Sequence, residues 1–410
     1  MLKVLEFLKT KTIKDSAVVS GGMVFSTLLS AATIFLLARW LGPGDFGLYA
    51  ASLAIAVIVT DSLELAISGS VVNFGAKNNA SSQKLIKYGL ILKLALGLGL
   101  GILAAVLAKP VSGWINPALN QPLYLVALII PLNFLMRFPR SVLQSQRRFW
   151  ADSSLEVITS LGRFLSVAGF YFSGSLTVIT GLWAYLSGAV AALMIGSALI
   201  SWKFLKERID QETRRHFFQF QKWLTIGFIL AAIHGRMDTA ILLKLAGPAA
   251  TGIYQAAFRF FMPVMQLAAA LSLVFAPRFA SFVTRQEARI YLKKAAKLTL
   301  LLGLGVLLML PLAPWLVSLI FGSAYSSAVL PARILSLGFA LFIVMAPFTA
   351  YLIYSVNRTR VFALINFLQL LLLLILDYWL IPNFGAVGAA IASAVTLISV
   401  NLLIMGLALK

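Results

Sequence analysis

The chain has 410 residues, 60% of them hydrophobic and only 11% charged, with no cysteine and a formal net charge of +21. A soluble protein of this length needs far more polar surface over its core. An outer-membrane barrel would show short alternating strands instead of long apolar runs. The absence of cysteine excludes disulfide, thiolate and cysteine-ligated metal chemistry.

Long apolar runs recur from end to end, as in LLGLGVLLMLPLAPWLVSLIFG at Leu301–Gly322. About 20 such residues at roughly 1.5 Å each match the ~30 Å hydrocarbon core of a bilayer. The expected fold is an all-α polytopic membrane protein. The N-terminal stretch MLKVLEFLKTKTIKDS is basic and precedes an apolar run too long for a signal-peptide core, so that run reads as a retained first helix. Twelve transmembrane spans are placed at roughly 16–40, 47–75, 88–108, 122–145, 153–173, 176–202, 222–246, 252–281, 297–320, 329–355, 361–381 and 385–409. Gly, Pro or Asn marks most of the breaks. The longest polar stretch, Lys203–Lys222, separates the sixth span from the seventh.

Lys and Arg collect in alternate loops: Lys3 to Lys14, Lys77 to Lys87, Arg147 and Arg148, Lys203 to Lys222, Arg285 to Lys297, Arg358 and Arg360, and Lys410. The intervening loops are nearly uncharged. The alternation holds with twelve spans and puts both termini in the cytoplasm. The basic character is therefore positive-inside bias, and nucleic acid is not required to explain it.

LARWLGPGDFGLYA at Leu37–Ala50 and LLKLAGPAATGIYQAA at Leu242–Ala257 carry the same punctuation. Gly42, Pro43, Gly47 and Tyr49 recur as Gly247, Pro248, Gly252 and Tyr254, half the chain apart. Both copies fall in the first outer turn of a six-span half. The expected organisation is an N-lobe of residues 1–205 (spans 1–6) and a C-lobe of 206–410 (spans 7–12), related by a parallel internal repeat. Glycine supplies unusual backbone angles in such a turn and proline stops the helix. Gly42, Pro43, Gly47, Gly247, Pro248 and Gly252 are thus expected to act as matching outer hinges.

With its basic N-terminus, LARWLGPGDFGLYA motif, span number and repeat, the chain resembles the polysaccharide transporter family. Those are the O-antigen-type flippases of the multidrug/oligosaccharidyl-lipid/polysaccharide superfamily. The resemblance implies transport of an oligosaccharide on an undecaprenyl-pyrophosphate carrier from the inner to the outer leaflet of the bacterial cytoplasmic membrane, for cell-surface polysaccharide synthesis. It also implies alternating access by two six-helix lobes, a cationic cavity, and other polysaccharide assembly proteins as partners.

Ionisable residues inside spans are expensive unless they face a cavity or a partner. Arg163 lies near the middle of the fifth span. Arg137 and Arg140 share a face of the fourth, and Arg236 and Arg259 lie in the outer parts of the seventh and eighth. These five arginines are the expected pyrophosphate and sugar-binding residues, because guanidinium is permanently charged and binds phosphate bidentately. Amides and aromatics such as Asn133 and Tyr351 are candidates for sugar hydroxyls. Asp61 and Glu64 share a face of the second span, and His234 and Asp238 are spaced i, i+4; these four are expected to couple transport to H+ or Na+. A cation-coupled drug or metabolite antiporter of the same superfamily is the alternative. No phosphate-binding loop, metal cluster or extended catalytic outer loop is present, so the chain is expected to be neither an enzyme nor dependent on a cofactor.

Overall fold

The computed structural model describes residues 11–76, 80–356 and 359–409. Lys3, Lys9, Lys77, Arg358 and Lys410 of the basic loops lie outside the described residues. The helices are α1 (Lys11–Gly75), α2 (Ala80–Ile115), α3 (Asn120–Ser145), α4 (Phe149–Phe172), α5 (Val178–Leu199) and α6 (Gln211–His234). They continue as α7 (Met237–Arg259), α8 (Met262–Ser281), α9 (Arg285–Leu307), α10 (Met309–Phe321), α11 (Val329–Tyr354) and α12 (Thr359–Leu409). Short 3-10 turns join some of them.

Among the described residues nine helices are long and apolar enough to cross a membrane, or ten when the pair α9–α10, bent by 50°, counts as one span. The difference from twelve has a backbone cause. α1, α7 and α12 each run through a glycine of positive φ where the sequence suggested a loop. Gly42 has φ 75° and ψ 172°, and Gly247 has φ 82° and ψ −178°. That region is essentially reserved for glycine, and other residues forced into it cost about 1–3 kcal/mol. Pro43 and Pro248 come next, at the start of the following helical segment, where a missing N–H costs nothing. One residue thus makes the whole turn, and the helix is continuous on both sides of it.

α2 shows how the helices are dressed. Leu98, Ile102 and Val106, four residues apart, are 53%, 66% and 69% exposed. A neighbouring face carries small residues. A Cβ on Gly97 would stand 3.1 Å from that of Phe134, and one on Gly101 would stand 2.8 Å from the Ala127 carbonyl oxygen. Large apolar side chains outside and glycine inside is the reverse of a soluble helix and suits a lipid surround. Gly99 of the same run faces open space.

By packing, the chain divides into two compact units. One holds the described residues through Leu41 together with Leu48–Ala240; the other holds Gly42–Gly47 and Ile241–Lys410. In the first unit α2 packs on α3, α3 on α5, and α4 on α5. The polar stretch between the sixth and seventh expected spans is docked here. Lys87 donates to the carbonyls of Leu205 and Glu207 at 2.8 and 2.7 Å. Lys84 pairs with Asp210 at 2.8 Å, and Asp210 caps α6 by accepting from the Thr213 amide. Phe217 follows, buried against Phe74 and Tyr88.

In the second unit α11 packs against α8, α9, α10 and α12. Phe279 is its aromatic centre, 5.1 Å from Tyr291 and 5.7 Å from Tyr351 between ring centroids. Tyr351, considered above for sugar contact, is core. The same unit contains both glycine-proline turns, and they touch. A Cβ on Gly47 would overlap the Pro248 carbonyl oxygen and lie 2.8 Å from the Gly252 nitrogen. A Cβ on Gly252 would overlap the Pro43 carbonyl oxygen and lie 3.1 Å from the Gly47 nitrogen. The contact is reciprocal and backbone to backbone. The second glycine of each motif therefore lets the other copy approach, which its sequence position alone did not indicate.

Backbone cannot move aside as a flexible side chain can. Gly47→Ala and Gly252→Ala are each expected to destabilise by about 1–3 kcal/mol, the usual cost of overpacking. Gly44→Ala is the control: it lies in the same segment with nothing within 4 Å, and alanine is the better helix former. Thermal unfolding in detergent reads the difference; an equal loss for Gly44→Ala would contradict the contact.

Candidate functional site

A cavity of about 360 Å³ opens in the first unit. Its lining includes Glu64 and Ser68 of α1, Arg137, Arg140, Ser141 and Gln144 of α3, Glu156, Thr159 and Arg163 of α4, and Tyr185 of α5. The spacings explain the convergence. On α1, residues 61, 64 and 68 lie on one face; on α3, 137, 140, 141 and 144; on α4, 152, 156, 159 and 163. Steps of three and four keep each polar stripe on one side of its helix.

Glu64 is the best-connected group. It is fully buried, and both of its oxygens are used. Oε1 accepts from Lys93 Nζ at 2.6 Å and from Ser68 Oγ at 2.5 Å, while Oε2 accepts from Arg137 Nη1 at 3.0 Å. Lys93 Nζ also donates to Ser68 Oγ at 2.8 Å and sits 5.9 Å from the centre of the Phe138 ring. Asp61 Oδ1 stands 3.0 Å from Arg137 Nη1, a charge contact without hydrogen-bond geometry. Asp61, Glu64 and Arg137, singled out in sequence, are thus brought together, and Lys93 joins them.

Arg140 is held separately. Its Nε donates to Asp152 Oδ1 at 2.6 Å and its Nη1 to Glu156. Gln144 donates to the other Asp152 oxygen at 2.8 Å.

Arg163 is different. Among the described residues it is the cavity arginine with no carboxylate at ion-pair distance. Its guanidinium carbon lies 3.9 Å from the centre of the Tyr185 ring, and its buried Nε has no hydrogen-bond partner. Two glycines bring that pair together. A Cβ on Gly162 would come 3.0 Å from the Gly188 Cα, and one on Gly188 would overlap the Thr159 carbonyl. α4 and α5 therefore touch one residue away from Arg163, which places its guanidinium over the Tyr185 ring. The Tyr185 hydroxyl points to Asn133 Oδ1 at 3.4 Å.

The remaining candidates lie elsewhere. α6 ends at His234 and α7 begins at Met237, with Arg236 in the break. His234 and Asp238 are thus on two helices, and one helical face does not align them. His234 Nε2 is buried without a hydrogen-bond partner, while Asp238 Oδ1 accepts from the Thr239 amide and hydroxyl. Arg259 ends α7 in the second unit, with Nη1 3.4 Å from Met262 Sδ.

Sequence reasoning passed over Lys93, Asp152, Gln144 and Tyr185. Lys93 had a signal: one lysine inside the apolar run LILKLALG, to be flagged by the same rule that flags Arg163. Asp152 sits one residue before the expected fifth span, outside the apolar runs in which a charge stands out. Nothing in the sequence marks Tyr185 among the aromatics.

The family model described as Polysaccharide biosynthesis protein matches residues 12–283, more than half of the chain. A protein named as a putative O-antigen transporter, from Shigella flexneri, is 25% identical over 96% of this chain and 97% of its own length. Among solved structures, a lipid II flippase MurJ in an inward closed conformation aligns with TM-score 0.76 at 15% identity, covering 95% of this chain and 86% of that one. An inward-facing multidrug resistance MATE family transporter of the MOP superfamily aligns with TM-score 0.74 at 13% identity, covering 93% and 95%. The fold is that of MurJ and MATE proteins, the sequence relatives are transporters and not enzymes, and the chain belongs to the polysaccharide biosynthesis protein family of multi-pass membrane proteins.

Proposed function

We propose that this protein flips an undecaprenyl-pyrophosphate-linked oligosaccharide from the inner to the outer leaflet of the bacterial cytoplasmic membrane. The observation that carries the reading is Arg163. It is a half-buried cation in a cavity wall, its guanidinium over the Tyr185 ring, with a buried Nε donor still to be satisfied. An unpaired buried donor is costly, and a phosphate oxygen satisfies it with a charge-assisted bond. Arg137 and Arg140 already have carboxylate partners, so they shape the cavity field while Arg163 takes the first phosphate contact. Arg236 and Arg259 are assigned to later contacts along the path.

The mechanism is alternating access by two lobes, residues 1–205 and 206–410, each of six helices. Dividing α1 and α12 at Gly42 and Gly385 turns ten candidate spans into twelve, which supports twelve segments with both termini cytoplasmic. The matched angles at Gly42 and Gly247 support the repeat. The basic residues then face the cytoplasm, as positive-inside bias requires. Uptake of H+ or Na+ is assigned to Asp61, to His234, whose buried ring nitrogen has no hydrogen-bond partner, and to Asp238, a buried carboxylate on the next helix. The antiporter reading finds less support. Asp61, Glu64, Asp152 and Glu156 each have a basic partner, so a cationic drug would have to displace an internal cation.

Reconstituted vesicles test the reading. Arg163→Ala is expected to lower translocation of a lipid-linked oligosaccharide roughly 10–100-fold, the equivalent of about 1.5–3 kcal/mol for lost bonds to a charged group. Arg163→Lys restores only part, because a point charge cannot reproduce the fork. Full activity in Arg163→Ala would overturn the site. Tyr185 separates orientation from hydrogen bonding. Tyr185→Phe keeps the ring face and should transport within about twofold of wild type. Tyr185→Leu loses the cation–π contact, about 0.5–2 kcal/mol, and should raise the substrate concentration for half-maximal rate roughly 2–30-fold.

A further inference from the structure

We infer that Lys93 is a tethered cation that permanently fills a cation site at Glu64, and that this sets the cavity's preference for anions. The inference rests on the proposed function only in its anion arm; the cation arm stands on the geometry alone.

The ammonium sits where a small monovalent cation would. Its oxygen neighbours are the Glu64 carboxylate at 2.6 Å and the Ser68 hydroxyl at 2.8 Å, with the Ser141 hydroxyl 2.8 Å beyond Ser68. Carboxylate and hydroxyl oxygens are the ligands that hard cations choose. Here the charge arrives on a four-carbon stem from α2. The lysine side chain and Glu64 are both 0% exposed, so the pair cannot exchange with dissolved ions as a coupling site must.

Charge counting gives the consequence. The carboxylates around the cavity are Asp61, Glu64, Asp152 and Glu156; the cations are Lys93, Arg137, Arg140 and Arg163. The numbers are equal, and the one cation without a carboxylate partner faces the cavity. Remove Lys93 and the balance turns negative, with Glu64 shared by Arg137 alone. A carboxylate oxygen and the Ser68 hydroxyl are then open to a dissolved cation. Lys93 is thus a positioning residue, acting on the cavity through Glu64.

The experiment compares purified wild type, Lys93→Met, Glu64→Gln and Lys93→Met/Glu64→Gln. Thermal unfolding is followed while NaCl replaces N-methylglucamine chloride at constant ionic strength. Wild type is expected to show no sodium dependence that Glu64→Gln removes. Lys93→Met melts lower without sodium and is raised by several degrees, saturably, as sodium is added. The double variant loses that dependence, which a merely structural loss of Lys93 would not predict. Saturable sodium stabilisation of wild type that Glu64→Gln abolishes would overturn the inference, as would a folded Lys93→Met indifferent to sodium. Should Lys93→Met not fold, Glu64→Gln decides alone. With Lys93 and Arg137 released from Glu64, it should bind inorganic pyrophosphate at least threefold tighter than wild type, and equal or weaker binding refutes the polarity role. If the sodium arm succeeds while no variant binds pyrophosphate, the tethered cation stands and the proposed substrate fails.

Discussion

The ion pair between Glu64 and Lys93 is the constraint on which the first unit turns. A single charge in hydrocarbon surroundings costs far more than a fold can spare, and two charges persist only when geometry and further hydrogen bonds satisfy both. Glu64 meets that condition with three donors from three helices: Ser68 on its own α1, Lys93 on α2 and Arg137 on α3. Its position is consequently the one that α1, α2 and α3 must agree upon. Close packing of α2 on α3 through Gly97 and Gly101 brings Lys93 and Arg137 to opposite ends of one carboxylate. The cavity wall follows, because Arg137, once fixed, sets the register that puts Arg140 and Gln144 one and two turns along.

Much of this was legible in the residues, and the boundary has a physical reason. Charged residues inside apolar runs stand out because the bilayer makes them costly. Asp61, Glu64, Arg137, Arg140 and Arg163 were found that way, and the 3.6-residue period placed each stripe on one face. The period says nothing about which stripe meets which. That Arg140 faces Asp152 and Glu156 depends on α3 meeting α4, and that Arg163 faces an aromatic ring depends on α4 and α5 touching at Gly162 and Gly188. Long-range approach of this kind leaves no local pattern. The helix break at Gly235–Arg236 was equally hidden, and it separates His234 from the face that its spacing to Asp238 implied.

The glycine-proline motifs show a second limit. Composition correctly indicated a residue of unusual backbone angle at Gly42 and Gly247. It also suggested loops, whereas the chain turns on one glycine and restarts at once on proline. Loop length is set by what must be spanned, and here the two segments meet directly. The other glycine of each motif, Gly47 or Gly252, serves a different end. Its missing side chain is filled by the carbonyl of the opposite copy. A repeat visible as a string is therefore also a contact, and the same four residue types carry a turn and an interface at once.

Charge balance joins these observations to substrate choice. A cavity lined only by arginines would bind phosphate tightly, yet it would repel itself and would hold its cargo too firmly to release it. A neutral cavity with one unsatisfied guanidinium avoids both problems. The internal carboxylates screen Arg137 and Arg140, and the local field still favours an anion at Arg163. The same neutrality makes the sign of the cavity sensitive to one residue. Glu64 belongs to a cation site by its chemistry, and a lysine from the neighbouring helix makes it part of an anion site. On a fold shared by proteins named for lipid flipping and for drug export, that is a small change with a large effect on what the pocket can hold.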